Sequence, residues 1–261
     1  MVHPLADALA KLGRAFELLK QLDDEVGVWT TAGNYNFIHS SNPDGSVHRW
    51  ITKLVGTELP QERWALLAGD CVHNARAALD YLAWQLAGAR PDDRTTQFPI
   101  FLSEGAFLER NRGPRMISHM SPQMKRRVLR LQPYRRSYPE FDSLWTLHSL
   151  DIADKHKLLA VIGTIVQQMG LRDEQGVDYG PNRVVHFEMA RDALKDEAVA
   201  ARLFLDPPEP NASARTTLTL DVVFEQGFPG GRRPTVTSTL LELLRRVSRT
   251  LEWFQKRWAD A

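Results

Sequence analysis

Cysteine is almost missing from this chain. Cys71 is the single one in 261 residues, which excludes an internal disulfide and any zinc site built from the cysteines of one chain. A reducing cytoplasm is the expected location. Long apolar runs are missing as well: no window approaches 18 uncharged apolar residues, and the opening MVHPLADALAKLGRAFELLK holds no continuous apolar segment of the signal-peptide kind. Neither export nor a membrane span is expected. No G-x-x-x-x-G-K-[ST], G-x-G-x-x-G or G-x-S-x-G occurs, which leaves P-loop, Rossmann and α/β-hydrolase chemistry without support. Acids are missing from one stretch. Residues 110–136, RNRGPRMISHMSPQMKRRVLRLQPYRR, carry nine Lys/Arg and no Asp or Glu, although the formal net charge of the whole chain is only +1.

What is present is an ordinary globular composition, 43% hydrophobic, ample for a core. Pro4 suits a first helical turn, and Leu5, Leu9, Leu12, Phe16, Leu19 and Val26 follow at helical spacing, predicting an amphipathic helix over 4–28. Leu240, Leu244, Val247, Leu251, Phe254 and Trp258 predict another over 236–259. NPDG between two alternating runs predicts a β-hairpin over 35–55. Residues 60–88, 121–132 and 141–160 read as further helices, with a short one at 103–110. The intervening ARPDDRTTQFPIFL breaks helix with two prolines and returns apolar side chains to the core.

LLAVIGTIV fits a buried strand as well as a helix. RVVHFEMA and TTLTLDVVFEQG alternate as strands do, the second with Leu218, Leu220, Val222 and Phe224 on one face, so strands are expected within 183–226. GFPGGRRP, with Arg232 and Arg233, reads as a loop before the last helix. The expected fold is one α+β domain over residues 1–261, a helical bundle of four to five helices with a small antiparallel sheet.

Chemistry-bearing residues concentrate on two of these helices. In GDCVHNARAALDYLAWQL, Leu67, Cys71, Ala75, Ala78, Leu82 and Leu86 project onto a core face, and His73, Arg76 and Asp80 form a stripe on the opposite side. That stripe also holds Leu66, Gly69, Ala77 and Trp84, a mixture a solvated face rarely shows, so a second layer is expected to cover it. In HSLDIADKHK, His148, Asp151 and Lys155 share a stripe, and Asp151 and Asp154 share a side with Leu144, Leu147 and Leu158. His156 points away from His148. Buried carboxylates need cations or donors. The candidates for Asp151 and Asp154 are Arg76, Lys155 or a metal, and for Asp80 they are Lys155 or Arg76 four residues away.

Three functions can use this cluster. Arg76, His73 and either His148 or His156 could act on a phosphate group, histidine as general base and arginine or lysine on the developing charge. The basic run, with Lys125, Arg126, Arg127 and Arg130 on its predicted helix and Lys155 nearby, would then attract a phosphate-bearing partner, RNA among them. Alternatively His73, Asp80, His148, Asp151 and Asp154 could hold a divalent metal such as zinc, manganese or iron between helices, as a metal-dependent hydrolase would need. In the third, the cluster is an ion-pair network that fixes helix register in an interaction protein. His39, His48, His119 and His186 sit singly and read as structural or exposed.

The blocks GD-x-x-HN-x-R-x-ALD-x-LAW-x-L, FPIF, LQPY and L-x-x-LH-x-LD-x-x-DKHK-x-L, in this order over residues 60–165, resemble a set of uncharacterised bacterial hypothetical proteins; that resemblance implies no catalytic residues. More distantly, a helix carrying R-x-ALD-x-L in a helical core is similar to HEPN superfamily bundles, many of which are toxins or defence ribonucleases. Here Arg76 is followed by Ala77 rather than a polar residue, with no histidine within reach. Arg112 and His119, at the spacing that motif uses, are separated by Pro114.

Overall fold

The computed structural model describes residues 5–89, 94–159, 161–169, 184–189, 196–209, 216–225, 228–231 and 234–258. The fold is mixed α+β and mostly helical, as expected. Its long helices are α1 (Ala6–Thr31), α2 (Gln61–Leu86), α6 (Ser143–His156) and α7 (Val236–Trp258), with α3 (Glu104–Leu108), α4 (Arg112–Met116) and α5 (Pro122–Arg130) as shorter ones. Six strands are described: β1 (Tyr35–Ser41), β2 (Val47–Leu54), β3 (Val161–Met169), β4 (Val184–Met189), β5 (Val199–Leu205) and β6 (Thr216–Phe224). The chain divides into two compact units. One comprises residues 1–23, 62–159 and 227–261, the other residues 24–61 and 160–226. Among the described residues no helix is long and apolar enough to cross a membrane.

The first unit is helical. The predicted core face of α2 is buried throughout: Leu67, Cys71, Ala75, Ala78, Leu82 and Leu86 all lie inside. Left-handed backbone at Gly88 and Ala89 ends that helix. In α1, Leu5, Leu12 and Leu19 are buried as predicted, but Leu9 and Phe16 keep about 40% of their surface in solvent. Ala8, Ala15, Leu18 and Leu22 complete the buried stripe instead, because a helix turns 100° per residue and the apolar face tracks i, i+3, i+4 and i+7. Ser121 caps α5 by accepting from the Met124 N–H, and Asp142 caps α6 by accepting from the Leu144 N–H.

Helix α6 is shorter than predicted. Lys157 is already extended, and Leu158, expected on the inner side with Asp151, is exposed beyond the helix end. Leu144, Leu147 and Leu150 anchor α6, while Leu240, Leu244, Val247, Leu251 and Phe254 anchor α7. The side chain of Trp258 lies outside the described residues, as do Arg232 and Arg233.

The second unit holds two antiparallel sheets, in the orders β1-β2-β5-β4 and β3-β6. The predicted hairpin forms with Ser41 opposite His48. Its turn is held by Asp44, whose carboxylate accepts from both the N–H and the hydroxyl of Ser46, and by Gly45 in the left-handed region. Residues 161–169 are strand: β3 pairs with β6 from Val161 opposite Phe224 to Met169 opposite Thr216. Val222, Val223 and Phe224 are all buried, so that end of β6 is covered on both faces rather than one. The side chains of Leu218 and Leu220 lie outside the described residues. Strand β5, VAARLFL, fills the centre of the larger sheet beside β2; it falls within the 183–226 region where strands are expected but is not one of the two segments named there.

Candidate functional site

Everything of chemical interest on α2 and α6 belongs to the helical unit. Arg76, one of the few charged side chains in its core, is 6% exposed. Its Nη2 donates to the Phe98 carbonyl at 2.7 Å and meets Asp80 Oδ1 at 3.1 Å, and the same oxygen accepts from the Phe98 N–H at 2.9 Å. One arginine and one aspartate thus satisfy both backbone groups of a loop residue that could not form helix or sheet bonds. The neighbouring Pro99 carbonyl accepts from Nε2 of the fully buried Gln132 at 2.6 Å. The FPIF loop is the second layer expected over the α2 stripe, and the Phe98, Ile100 and Phe101 side chains are buried under it. Burial pushes the Asp80 carboxyl above its ordinary value, although about a third of the side chain meets solvent, and Arg76 and the Phe98 N–H pull the other way.

On α6, Asp151 is 2% exposed and held by Lys155 Nζ at 2.6 Å, with His73 Nδ1 at 3.4 Å reaching across from α2. The cross-helix pairs of Arg76 with Asp151 or Asp154, and of Lys155 with Asp80, do not form. Each helix satisfies its own carboxylate at i,i+4 instead: Arg76 with Asp80, Lys155 with Asp151. The reason is reach, since residues four apart on a helix already stand side by side whereas an interhelical pair must find matching register. Asp154 is half-buried against Gly69 of α2, where any side chain would collide with its carboxylate. Burial, then Asp70 and Asp151, raise its pKa. His156 is exposed and brought to none of these groups.

His148 differs from the rest. Its Nδ1 is buried without a hydrogen-bond partner, and so is Nη1 of Arg76. Burial and the nearby Arg76 hold the His148 pKa down to about 4, Asp151 opposing them and Arg112 and Lys155 adding to them. The ring rests 5.7 Å from that of Trp145.

The metal candidates do not converge. Among the described residues no three His, Cys, Asp or Glu side chains form a ligand set. His73 lies 58% in solvent, Asp80 is bound to the loop, Asp151 to Lys155, and Asp154 packs on Gly69. The basic run is also divided. Lys125, Arg126, Arg127 and Arg130 ride on α5, which buries Met124 and Val128 and turns a basic face outward. Arg135 pairs with Glu104 and Arg136 with Asp142. Arg110, Arg112 and Arg115 go elsewhere, to a cleft they share with Arg94. The acid-free character of 110–136 was the sequence signal for that cleft. Phe98 and Gln132 left none, because their roles rest on backbone hydrogen bonds. Compared with known proteins, the chain matches no family model, no curated protein and no solved structure.

Proposed function

We propose that this chain binds a phosphate-bearing ligand at the face where α2 and α6 present Arg76 and His148. The observation that carries this reading is the pair of buried, unpartnered nitrogens, Arg76 Nη1 and His148 Nδ1, in one electrostatic neighbourhood with Arg112 and Lys155. Leaving a buried donor unmade costs about 1–3 kcal/mol, and oxygens of an anion satisfy a guanidinium better than neutral acceptors do. Binding is favoured over catalysis. A general base works best with a pKa near the operating pH, and a histidine held near 4 falls well short of that.

Arg76 and Asp80 serve the fold at the same time, since they clamp the FPIF loop. RNA is one carrier of phosphate chemistry, and the outward basic face of α5 would supply its electrostatic attraction. The cytoplasm suits the chain: Cys71 is a free, buried thiol whose pKa burial pushes up to about 12. The test is calorimetric titration with inorganic pyrophosphate. His148→Phe keeps a ring in place and removes the nitrogen, and is expected to weaken binding about tenfold. Equal affinity in the variant would overturn the assignment.

A further inference from the structure

Outside the α2 and α6 cluster the helical unit carries a cleft of about 400 Å³. Among the described residues its walls present four arginines, Arg94, Arg110, Arg112 and Arg115, against one acid, Glu109. Among the described residues none of the four arginines lies within ion-pair distance of a carboxylate, in contrast to Arg76, Arg135 and Arg136, which all do. Four like charges around one cavity repel one another unless an anion enters.

The cleft is built on firm supports. Gly113 of α4 is packed so tightly on the Phe107 ring that a side chain there would collide with it, which fixes the short helix bearing Arg112 and Arg115. Arg112 also lies over the Phe101 ring, 5.7 Å from its centre, and Phe101 belongs to the clamped FPIF loop. Arg110 and Asn111 stand in the left-handed region, at φ 48° and 56°, a conformation that costs on the order of 1–3 kcal/mol per residue and persists only where the surroundings enforce it.

We propose that this cleft is a binding site for a polyphosphate-bearing small molecule, its di- or triphosphate end held by Arg94, Arg110, Arg112 and Arg115. The volume falls in the range of small-ligand pockets, roughly 300–1,000 Å³. Among the described residues the lining carries an excess of three positive charges, which matches a polyphosphate better than a single phosphate. Guanidinium groups recognise phosphate oxygens through paired N–H donors. A single-stranded nucleic acid fits less well, because such sites stack successive bases on aromatic rings and among the described residues no aromatic side chain lines this cleft. The proposal rests on the phosphate reading above and narrows it, since Arg112 serves the cleft and also lowers the His148 pKa.

The test is calorimetry of the full chain with inorganic triphosphate and, separately, with a single-stranded RNA oligonucleotide, on wild type and on the double variant Arg94→Gln, Arg115→Gln. Both arginines are exposed, so the variant is expected to unfold at the wild-type temperature. Triphosphate should bind the wild type and lose about tenfold in affinity for each arginine removed. Triphosphate binding unchanged in the double variant but weakened by His148→Phe would overturn the cleft and leave the phosphate reading standing. RNA binding without triphosphate binding would overturn the small-molecule assignment. No binding of either would overturn both.

Discussion

Arg76 and Asp80 hold the two backbone polar groups of a single residue, Phe98: the guanidinium donates to its carbonyl at 2.7 Å and the carboxylate accepts from its N–H at 2.9 Å. The pair is therefore a clamp on the FPIF loop as well as an i,i+4 ion pair. Three of the sequence blocks, those carrying Arg76 and Asp80, Phe98, and Gln132, are tied together through that loop.

Arg76→Met removes a charge-assisted hydrogen bond and strands the Asp80 carboxylate, at an expected cost of about 2–4 kcal/mol in urea unfolding. Asp80→Asn keeps an acceptor for the Phe98 N–H and should cost about 1 kcal/mol. In the double variant the two effects should fail to add by at least about 1 kcal/mol. The Asp80 pKa is already raised by burial, and losing Arg76 raises it further. A raised carboxylate favours folding below its folded pKa, so the Arg76→Met penalty should be larger at pH 7 than at pH 4. A penalty independent of pH would argue against direct pairing.

Gly69→Ala changes sign with its neighbour. Alanine gains about 1 kcal/mol over glycine in a helix interior, but its Cβ would collide with the Asp154 carboxylate, and overpacking costs about 1–3 kcal/mol. Gly69→Ala should destabilise the wild type and stabilise the Asp154→Ala background, each read by thermal unfolding. The same sign in both backgrounds would mean that Asp154 does not pack on Gly69.

His39 and His48 form a pair in the β1–β2 hairpin, sharing a hydrogen bond of 2.9 Å between Nε2 and Nδ1, where each looked solitary in the sequence. Burial first, and His48 second, lower the His39 pKa. A lowered imidazole pKa favours folding above the unfolded value and is lost as pH falls through the imidazole range. The protection of the hairpin amides, corrected for the intrinsic exchange rate, should therefore fall as pH drops through the imidazole range, modestly because His39 is exposed. His39→Gln should flatten that dependence, and an unchanged pH profile in the variant would remove His39 as its cause.

The outward face of α5 is expected to lie apart from the ligand site. At 0.15 M salt the field of exposed charges fades over about 8 Å. Charge reversal of Lys125, Arg126 and Arg130 should thus leave triphosphate affinity within about twofold while abolishing any retention on heparin. An order-of-magnitude loss of triphosphate affinity would move the site onto α5.

Much of the helical unit was legible in advance. The core face of α2, the caps at Ser121 and Asp142 and the buried leucines of α7 all follow from periodicity and local hydrogen bonding, which a sequence displays directly. Three features were not legible. Strand β5 alternates too weakly to announce itself and exists because β2 and β4 flank it. The end of α6 at His156 rather than 160 turns on one extended residue, Lys157. At the site, the sequence shows that Asp151 needs a cation and leaves Arg76, Lys155 and a metal open; the structure selects its own helix neighbour Lys155. Arg76 was instead taken by a loop 22 residues away. Such side-chain-to-backbone bonds have no period, and only the folded chain brings their partners together.

The central claim is that Arg76 and His148 together receive a phosphate group, and the nearest observable is the titration of His148 itself. Its imidazole should titrate near pH 4 in the free protein, followed by NMR against a His148→Phe control that assigns the signal. Saturating pyrophosphate should move that midpoint upward by at least one pH unit, roughly the effect of a close opposite charge. A midpoint in the ordinary imidazole range for the free protein, or one that pyrophosphate leaves in place, would contradict it.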